Sequence, residues 1–126
     1  MAVSKDFDYV VRASTTRTFG RVLLSAGTNH VVVDGPAQNG CPGEAITPAE
    51  LFLGGVAACA AELVEVLARN EGAGLTAVNA EIAGSVDRAH ELRSDVTVFS
   101  AVALHFTLEG VDDAQARDLV EQFKGR

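Results

Sequence analysis

The chain contains no tryptophan, one tyrosine and six phenylalanines among its 126 residues. An aromatic platform for stacking nucleic-acid bases is therefore not expected. Positive charge is also scarce, because ten Lys and Arg side chains stand against seventeen Asp and Glu side chains and leave a net charge of −7. A surface with this balance repels phosphate backbones and anionic lipid headgroups. The composition therefore predicts no nucleic-acid partner and no membrane partner.

Targeting and cofactor signals are missing as well. The first residues lack the basic start and apolar run of a secretory signal, and no stretch approaches the roughly eighteen consecutive apolar residues of a membrane helix. The two cysteines and three histidines are scattered without the spacing of zinc ligands. There is no glycine-rich phosphate loop. We therefore expect a cytoplasmic protein with free thiols, no metal and no bound cofactor.

Apolar residues are abundant enough to build a core. They make up 48% of the chain, against 21% charged residues, at a length that suits a single domain. A glycine directly after a helix usually marks a chain that turns and continues, and Gly125 follows the last predicted helix. The prediction is a single domain over residues 1–126 that lacks its C-terminal end.

The first third of the sequence has the pattern of strands. Short β-rich runs punctuated by Gly, Asn and Pro predict an antiparallel meander over 7–13, 19–25 and 30–34. The following segment, 35–47, is rich in Gly and Pro and is predicted to be a flexible loop. It contains Cys41.

A long helix is predicted over 48–71. Thr47 is its expected N-cap, Pro48 fits the first turn, and Glu50 completes a capping box with Thr47. Gly72 is expected to end it. Two alternating apolar runs, 75–86 and 96–108, predict a hairpin whose long polar tip is 87–95.

A last helix is expected from Asp112 or Asp113 to Lys124. The order of meander, helix, hairpin and helix predicts an α+β fold.

The middle of the long helix is unusually small. Leu51, Gly55, Cys59, Leu63 and Val66 share one face by their spacing, and three further apolar residues widen this stripe: Phe52, Val56 and Leu67. Cys59 is therefore expected to be buried on an apolar stripe. Two adjacent glycines cost a helix about 2 kcal/mol relative to alanines. Close packing against another helix or a sheet explains at least part of that cost, and space for a ligand beside the sulfur is a functional reason that can coexist with it.

Cys59 is the first candidate for chemistry. A cysteine nucleophile reacts as its thiolate, and an ordinary free thiol has a pKa of about 8.5. Activation of Cys59 therefore needs a nearby cation, and Arg12, Arg17 and Arg21 are the available ones. Cys41 either resolves a sulfenic acid on Cys59 or is an incidental surface cysteine. No partner spacing accompanies the histidines, which are interpreted as bystanders: His30, His90 and His105.

The segment TPAELFLGGVAAC over residues 47–59 resembles the OsmC/Ohr family, the osmotically inducible protein C and organic hydroperoxide resistance proteins. Pro48 and Cys59 have the family's spacing from helix start to cysteine. The resemblance extends to the meander residues 20–22 and 31–35 and to the C-terminal residues 119–126. It implies an OsmC-like fold and an intertwined homodimer in which two long central helices pack together.

The resemblance also implies an activity, the thiol-dependent reduction of organic hydroperoxides without metal or organic cofactor. Cys59 would be the peroxidatic thiolate, and an external dithiol would be the reductant. The family's activating arginine and glutamate have Arg17 and Glu50 as their nearest counterparts, because Thr18 and Ala49 occupy the family positions themselves. The family's second cysteine, in a Cys-Pro step after the second helix, would lie beyond the end of this chain.

Two other interpretations stay open. In one, the chain is a non-catalytic OsmC-like dimer that binds a small apolar molecule at its interface, with Cys59 in the pocket wall. In the other, Cys59 and Cys41 form a thiol redox sensor, which requires their Cα atoms to approach within about 7 Å.

Overall fold

The computed structural model describes residues 7–91, 93–95 and 98–125. Its elements are, in chain order, β1 (Arg12–Thr15), β2 (Arg21–Ala26), β3 (Asn29–Asp34), a 3₁₀ turn (Ala37–Asn39), α1 (Pro48–Glu71), β4 (Ala77–Ser85), β5 (Ala101–Glu109) and α2 (Asp113–Lys124). This order confirms the predicted α+β class. The chain divides between Leu51 and Phe52 into two compact units, called here the N-terminal and the C-terminal unit.

The N-terminal unit contains the predicted antiparallel meander. Its strands lie in the order β1-β2-β3, and the β2–β3 register pairs Arg21 with Asp34. The first strand begins later than its predicted start at residue 7, because only Arg12–Thr15 find partners on β2. Residues 7–11 lie outside it, and Tyr9 is 90% exposed. An apolar run without a pairing strand is not enough to form sheet.

Both ends of α1 match the prediction, because local hydrogen bonds fix them. The Thr47 amide donates to Glu50 Oε1 at 3.0 Å, and the Glu50 amide donates to Thr47 Oγ1 at 3.3 Å, which completes the predicted capping box. At the other end Gly72 has a φ of 70°. The amides of Gly72 and Ala73 donate to the carbonyls of Arg69 and Ala68, the pattern of a Schellman motif.

The C-terminal unit places helices against a hairpin. β4 and β5 pair antiparallel from Ala77 opposite Glu109 to Ser85 opposite Ala101. In the strand predicted over 96–108, residues 98–100 lie outside β5, which begins at Ala101. Residues 92, 96 and 97 of the predicted tip and strand lie outside the described residues. α2 begins where predicted, with Asp112 as the N-cap accepting from the Gln115 amide at 2.8 Å. The core consists of Val64, Leu67, Ala68 and Leu119.

The prediction of which face of α1 is buried was wrong at the centre of the stripe, although Leu67 at its predicted edge is buried. Within the chain its buried residues are Ala60, Val64, Leu67 and Ala68, whereas Cys59 is exposed. The buried stripe is rotated by about 100° from the predicted one, which is one residue along a helix. The reason is that α1 is apolar on most of its circumference, so spacing alone does not select the core face. By length and composition α1 could also cross a membrane, criteria that core helices of soluble proteins meet too.

Candidate functional site

Cys59 is exposed near the middle of α1, five and four residues after two adjacent glycines. A Cβ built on Gly54 or on Gly55 would meet no described atom within 4 Å. The small side chains at these positions are therefore not explained by packing inside this chain. They leave room next to the thiol for something outside it, a ligand or a second copy.

Glu50 is engaged at the start of the same helix. Both the amide and the hydroxyl of Thr47 donate to its Oε1, at 3.0 and 2.8 Å. These hydrogen bonds, with that of the hydroxyl the stronger, lower the pKa of Glu50. Nine positions at about 100° each also put Glu50 and Cys59 on opposite sides of a regular helix. Within one chain the capping box is the role that the geometry of Glu50 supports.

Arg17 lies exposed in the connection between β1 and β2 of the N-terminal unit, whereas Cys59 belongs to the C-terminal unit. The connection is tight. Thr16 Oγ1 accepts from the Thr18 amide at 3.2 Å and donates to the Arg21 carbonyl at 3.0 Å. These bonds fix the backbone around Arg17 while its side chain remains in solvent.

Arg21, the third candidate cation, forms an ion pair with Asp34. Its Nε and Nη2 donate to the two carboxylate oxygens of Asp34, each at 2.8 Å, and Nη2 also donates to Glu44 Oε1 at 3.2 Å. The amides of Glu44 and Ala45 donate to Asp34 Oδ2 at 3.0 and 2.9 Å. Asp34 is fully buried. We call these four residues the Asp34 clamp.

The electrostatics of the Asp34 clamp follow from its geometry. Hydrogen bonds from Arg21, helped by the two backbone amides, lower the pKa of Asp34 to about 2 against the opposing effect of burial. The same contacts raise the pKa of Arg21 above its ordinary value. Sequence reasoning missed this pair, although the predicted pairing of the second and third strands around the Gly27 turn would have placed residues 21 and 34 opposite each other.

Cys41 is packed against the backbone of two glycines, Gly20 and Gly35. A Cβ built on Gly20 or on Gly35 would come within 2.5 Å of Cys41 Sγ, so the sulfur fills the space that both glycines leave. The Asp34 clamp and the bond from the Asp34 amide to the Ile46 carbonyl hold the C-terminal part of the predicted loop 35–47, and its flexibility stays a prediction.

The remaining polar groups assemble no further site among the described residues. His30 Nδ1 lies 2.8 Å from Ser25 Oγ, and His90 Nδ1 lies 3.1 Å from Asp87 Oδ2, both in solvent. In the described ranges no three His, Cys, Asp or Glu side chains could hold a metal ion. A groove of about 690 Å³ lies between β5 and α2, and neither Cys59, Arg17 nor Glu50 lines it.

Comparison with known families gives one match. A family model described as OsmC-like protein matches residues 41–126. No curated protein matches the chain by sequence.

Solved structures are similar to the chain in fold. An OsmC-like protein from Mycoplasma pneumoniae is 14% identical, with a TM-score of 0.79 over 96% of this chain and 83% of that one. An organic hydroperoxide resistance protein OsmC from Legionella pneumophila is 21% identical, with a TM-score of 0.71 over 97% and 85%. An organic hydroperoxide resistance protein from Elizabethkingia anophelis is 16% identical, with a TM-score of 0.72 over 98% and 85%.

Proposed function

Because the chain belongs to the OsmC-like family, whose model spans more than half of its residues, we propose that it reduces organic hydroperoxides with the thiol of Cys59. Two structures of the same fold are named organic hydroperoxide resistance proteins. The observation that carries the proposal is the exposed Cys59 four residues after Gly55, where no described atom lies within 4 Å of a built Cβ, because a thiol must meet its substrate without a bulky neighbour.

The proposed reaction balances without metal or organic cofactor. The thiolate sulfur of Cys59 attacks the terminal oxygen of the hydroperoxide R–O–O–H. A sulfur–oxygen bond forms as the oxygen–oxygen bond breaks, and the alkoxide leaves with that electron pair and takes a proton to become the alcohol. Cys59 remains as a sulfenic acid, oxidised by two electrons.

An external dithiol returns Cys59 to its starting state. Its first thiol forms a mixed disulfide with Cys59 and releases the sulfenic oxygen as water. Its second thiol attacks that disulfide, so that the reductant closes its own disulfide and Cys59 leaves as the thiol. The sum is one hydroperoxide and one dithiol converted into one alcohol, one water and one disulfide.

The positive charge that the thiolate needs is proposed to come from Arg17 of either copy in a homodimer. Its guanidinium is in solvent and its backbone is fixed, which suits a side chain that contacts an anion presented by another surface. Glu50 is proposed to orient it, since both Thr47 donors use Oε1 and, within the described residues, Oε2 accepts no hydrogen bond. Cytoplasmic location is part of the same proposal, because thiols stay reduced there.

A homodimer is proposed on the exposed apolar side chains of α1. Phe52 is 65% exposed and Val56 is 42% exposed within one chain. Covering such residues with a second copy removes apolar surface from water, which is the main driving force of association. Sedimentation should give twice the mass of one chain at micromolar concentration. A monomer at that concentration would contradict the dimer.

The test of the reaction is a matched pair of cysteine variants. Cys59→Ser should abolish the consumption of cumene hydroperoxide in the presence of dihydrolipoamide, because serine cannot form the sulfenic acid. Cys41→Ser, the same substitution at the other thiol, should retain it. Turnover that survives in Cys59→Ser, or a wild-type protein without turnover, would refute the proposal.

A second candidate function has one observation in its favour. This function is a non-catalytic dimer that binds a small apolar molecule at its interface: among the described residues Glu50 forms the capping box and no ion pair with Arg17, so the activating pair is not assembled within one chain. In that case the wild-type protein consumes no hydroperoxide. The wild-type protein and Cys59→Ser bind cumyl alcohol with equal affinity.

A further inference from the structure

The Asp34 clamp connects the two segments that carry the groups proposed to serve Cys59. One segment is the turn around Arg17, between β1 and β2, and the other is the start of α1 with Glu50. Both segments and the clamp belong to the N-terminal unit, which ends at Leu51. The connection between them can therefore be followed bond by bond within one compact unit.

The turn around Arg17 is closed on the backbone of Arg21. The Thr16 amide donates to the Arg21 carbonyl at 3.2 Å, and the Arg21 amide donates to the Thr18 carbonyl at 3.1 Å. The side chain of the same Arg21 donates to both carboxylate oxygens of Asp34. The position of the turn is thus set by the ion pair at its base.

The same carboxylate holds the segment that leads into α1. Asp34 Oδ2 accepts from the amides of Glu44 and Ala45 at 3.0 and 2.9 Å. The Asp34 amide donates to the Ile46 carbonyl at 3.1 Å. The next residue is Thr47, where the capping box begins. One buried side chain therefore holds the turn on one side and the helix cap on the other.

Stability alone does not explain an ion pair with a fully buried carboxylate at this place. Apolar residues of similar volume often give a fold the same stability as a buried ion pair. What a bidentate pair adds is direction, because its two parallel hydrogen bonds fix the guanidinium and the carboxylate in one plane. The Asp34 clamp thus supplies fixed geometry between the segments that it joins.

We propose that Arg21 and Asp34 are positioning residues, whose ion pair holds the backbones of Arg17 and Glu50 at the spacing that the thiolate of Cys59 requires. This inference rests on the proposed function, in which Arg17 supplies the positive charge and Glu50 orients it. It holds whichever copy of a homodimer presents the thiol, because the whole connection lies in one unit of one chain.

The test uses two matched changes of a carboxylate to an amide. Asp34→Asn keeps the size of the side chain but replaces one acceptor oxygen with a donor, so it cannot serve both Arg21 and the two backbone amides. Glu44→Gln is the control, because Glu44 also contacts Arg21 but its side chain is 76% exposed. Exposed ion pairs contribute little to structure.

The readout is the rate at which iodoacetamide alkylates Cys59 at pH 7, since alkylation needs the thiolate. All variants carry Cys41→Ser, so that only one thiol reacts. Arg17→Ala should lower the rate about tenfold, because a nearby opposite charge favours the thiolate. Asp34→Asn should lower it about threefold or more through displacement of Arg17. Glu44→Gln should stay within about twofold.

A double variant distinguishes positioning from a general structural role. Once Arg17→Ala has removed the charge, adding Asp34→Asn should lower the rate no further, because the clamp acts through Arg17. Losses that multiply, or an unchanged rate in Asp34→Asn alone, would overturn the inference. Arg21→Lys is the second variant should Asp34→Asn fail to fold. It keeps the charge but lacks the bidentate fork, so the same loss and the same masking are expected.

Hydroperoxide turnover, measured in parallel, separates this inference from the proposed reaction. If the wild-type protein consumes no hydroperoxide but the alkylation rates show the expected pattern, the reaction is wrong and the positioning role stands. If the protein is active and the rate in Asp34→Asn equals that of the wild type, the positioning role is wrong and the reaction stands. An unchanged rate in Arg17→Ala would overturn the positioning role whatever the turnover.

Discussion

Gly110 is the position where the smallest substitution should have the largest effect on folding. Its φ is 90°, in the left-handed region that side chains disfavour. A Cβ there would run into the Gly74 carbonyl oxygen and come within 2.9 Å of the Thr76 amide nitrogen. Both are backbone atoms, and the Thr76 amide is itself bonded to the Glu109 carbonyl at 2.8 Å, so neither has a rotamer by which to move away.

The magnitude follows from a comparison with Gly72, which has a φ of 70° but no described atom within 4 Å of a built Cβ. Left-handed backbone costs a non-glycine residue about 1–2 kcal/mol, and lower entropy of the unfolded chain returns about 0.4–1 kcal/mol. Gly72→Ala should therefore destabilise by about 1 kcal/mol. Gly110→Ala adds overpacking of about 1–3 kcal/mol, for a total of about 2–4 kcal/mol.

Urea unfolding followed by circular dichroism, at equal protein concentration and unchanged m-value, measures both variants. In thermal melts the loss for Gly110→Ala corresponds to a Tm about 8–15 °C lower. If both variants lose the same stability, the clash is relieved at no cost and the reasoning from the Gly74–Thr76 contact is refuted.

Two further predictions concern the N-terminal unit. The Asp34 carboxylate, whose pKa is lowered to about 2, stabilises the fold above its unfolded pKa near 4. This contribution is lost as the pH falls toward 2. Asp34→Asn should therefore be less stable at neutral pH, and its stability should change less between pH 4 and pH 2. A steeper acid dependence in Asp34→Asn, measured by urea midpoints across that range, would contradict the role of the Asp34 clamp. Thr47→Ala removes the hydroxyl partner of Glu50 and should destabilise by about 1 kcal/mol, whereas Thr47→Ser should retain the capping box; equal urea midpoints for the two variants would show that the cap contributes nothing.

The elements that local chemistry fixes were predictable from the sequence. The bounds of α1 follow from the capping box at one end and Gly72 at the other, both within a few residues of the bonds they form. The start of α2 follows in the same way from the Asp112 cap. Strand ends were less predictable, because β1 and β5 begin where a partner strand begins to pair and not where apolar residues begin.

In the candidate site, too, features set by neighbouring residues were predictable from the sequence, and features set by contacts between distant residues were not. Cys59 could be identified from its small neighbours and the family resemblance, but its exposure could not, because α1 has apolar residues on most sides and only the hairpin decides which side it covers. The commitment of Arg21 to Asp34 depends on strand register, which connects residues thirteen positions apart. Whether Arg17 and Glu50 serve Cys59 stays a prediction.

The Asp34 clamp closes a ring in the chain. Glu44, the first residue whose amide donates to the aspartate, lies ten positions after Asp34, and side-chain bonds join the two ends. Opening this ring removes several hydrogen-bond donors from one buried carboxylate at the same time. Partly open states of the segment are therefore high in free energy. Insertions and deletions should therefore be tolerated better in the neighbouring Gly27 hairpin turn than in this ring.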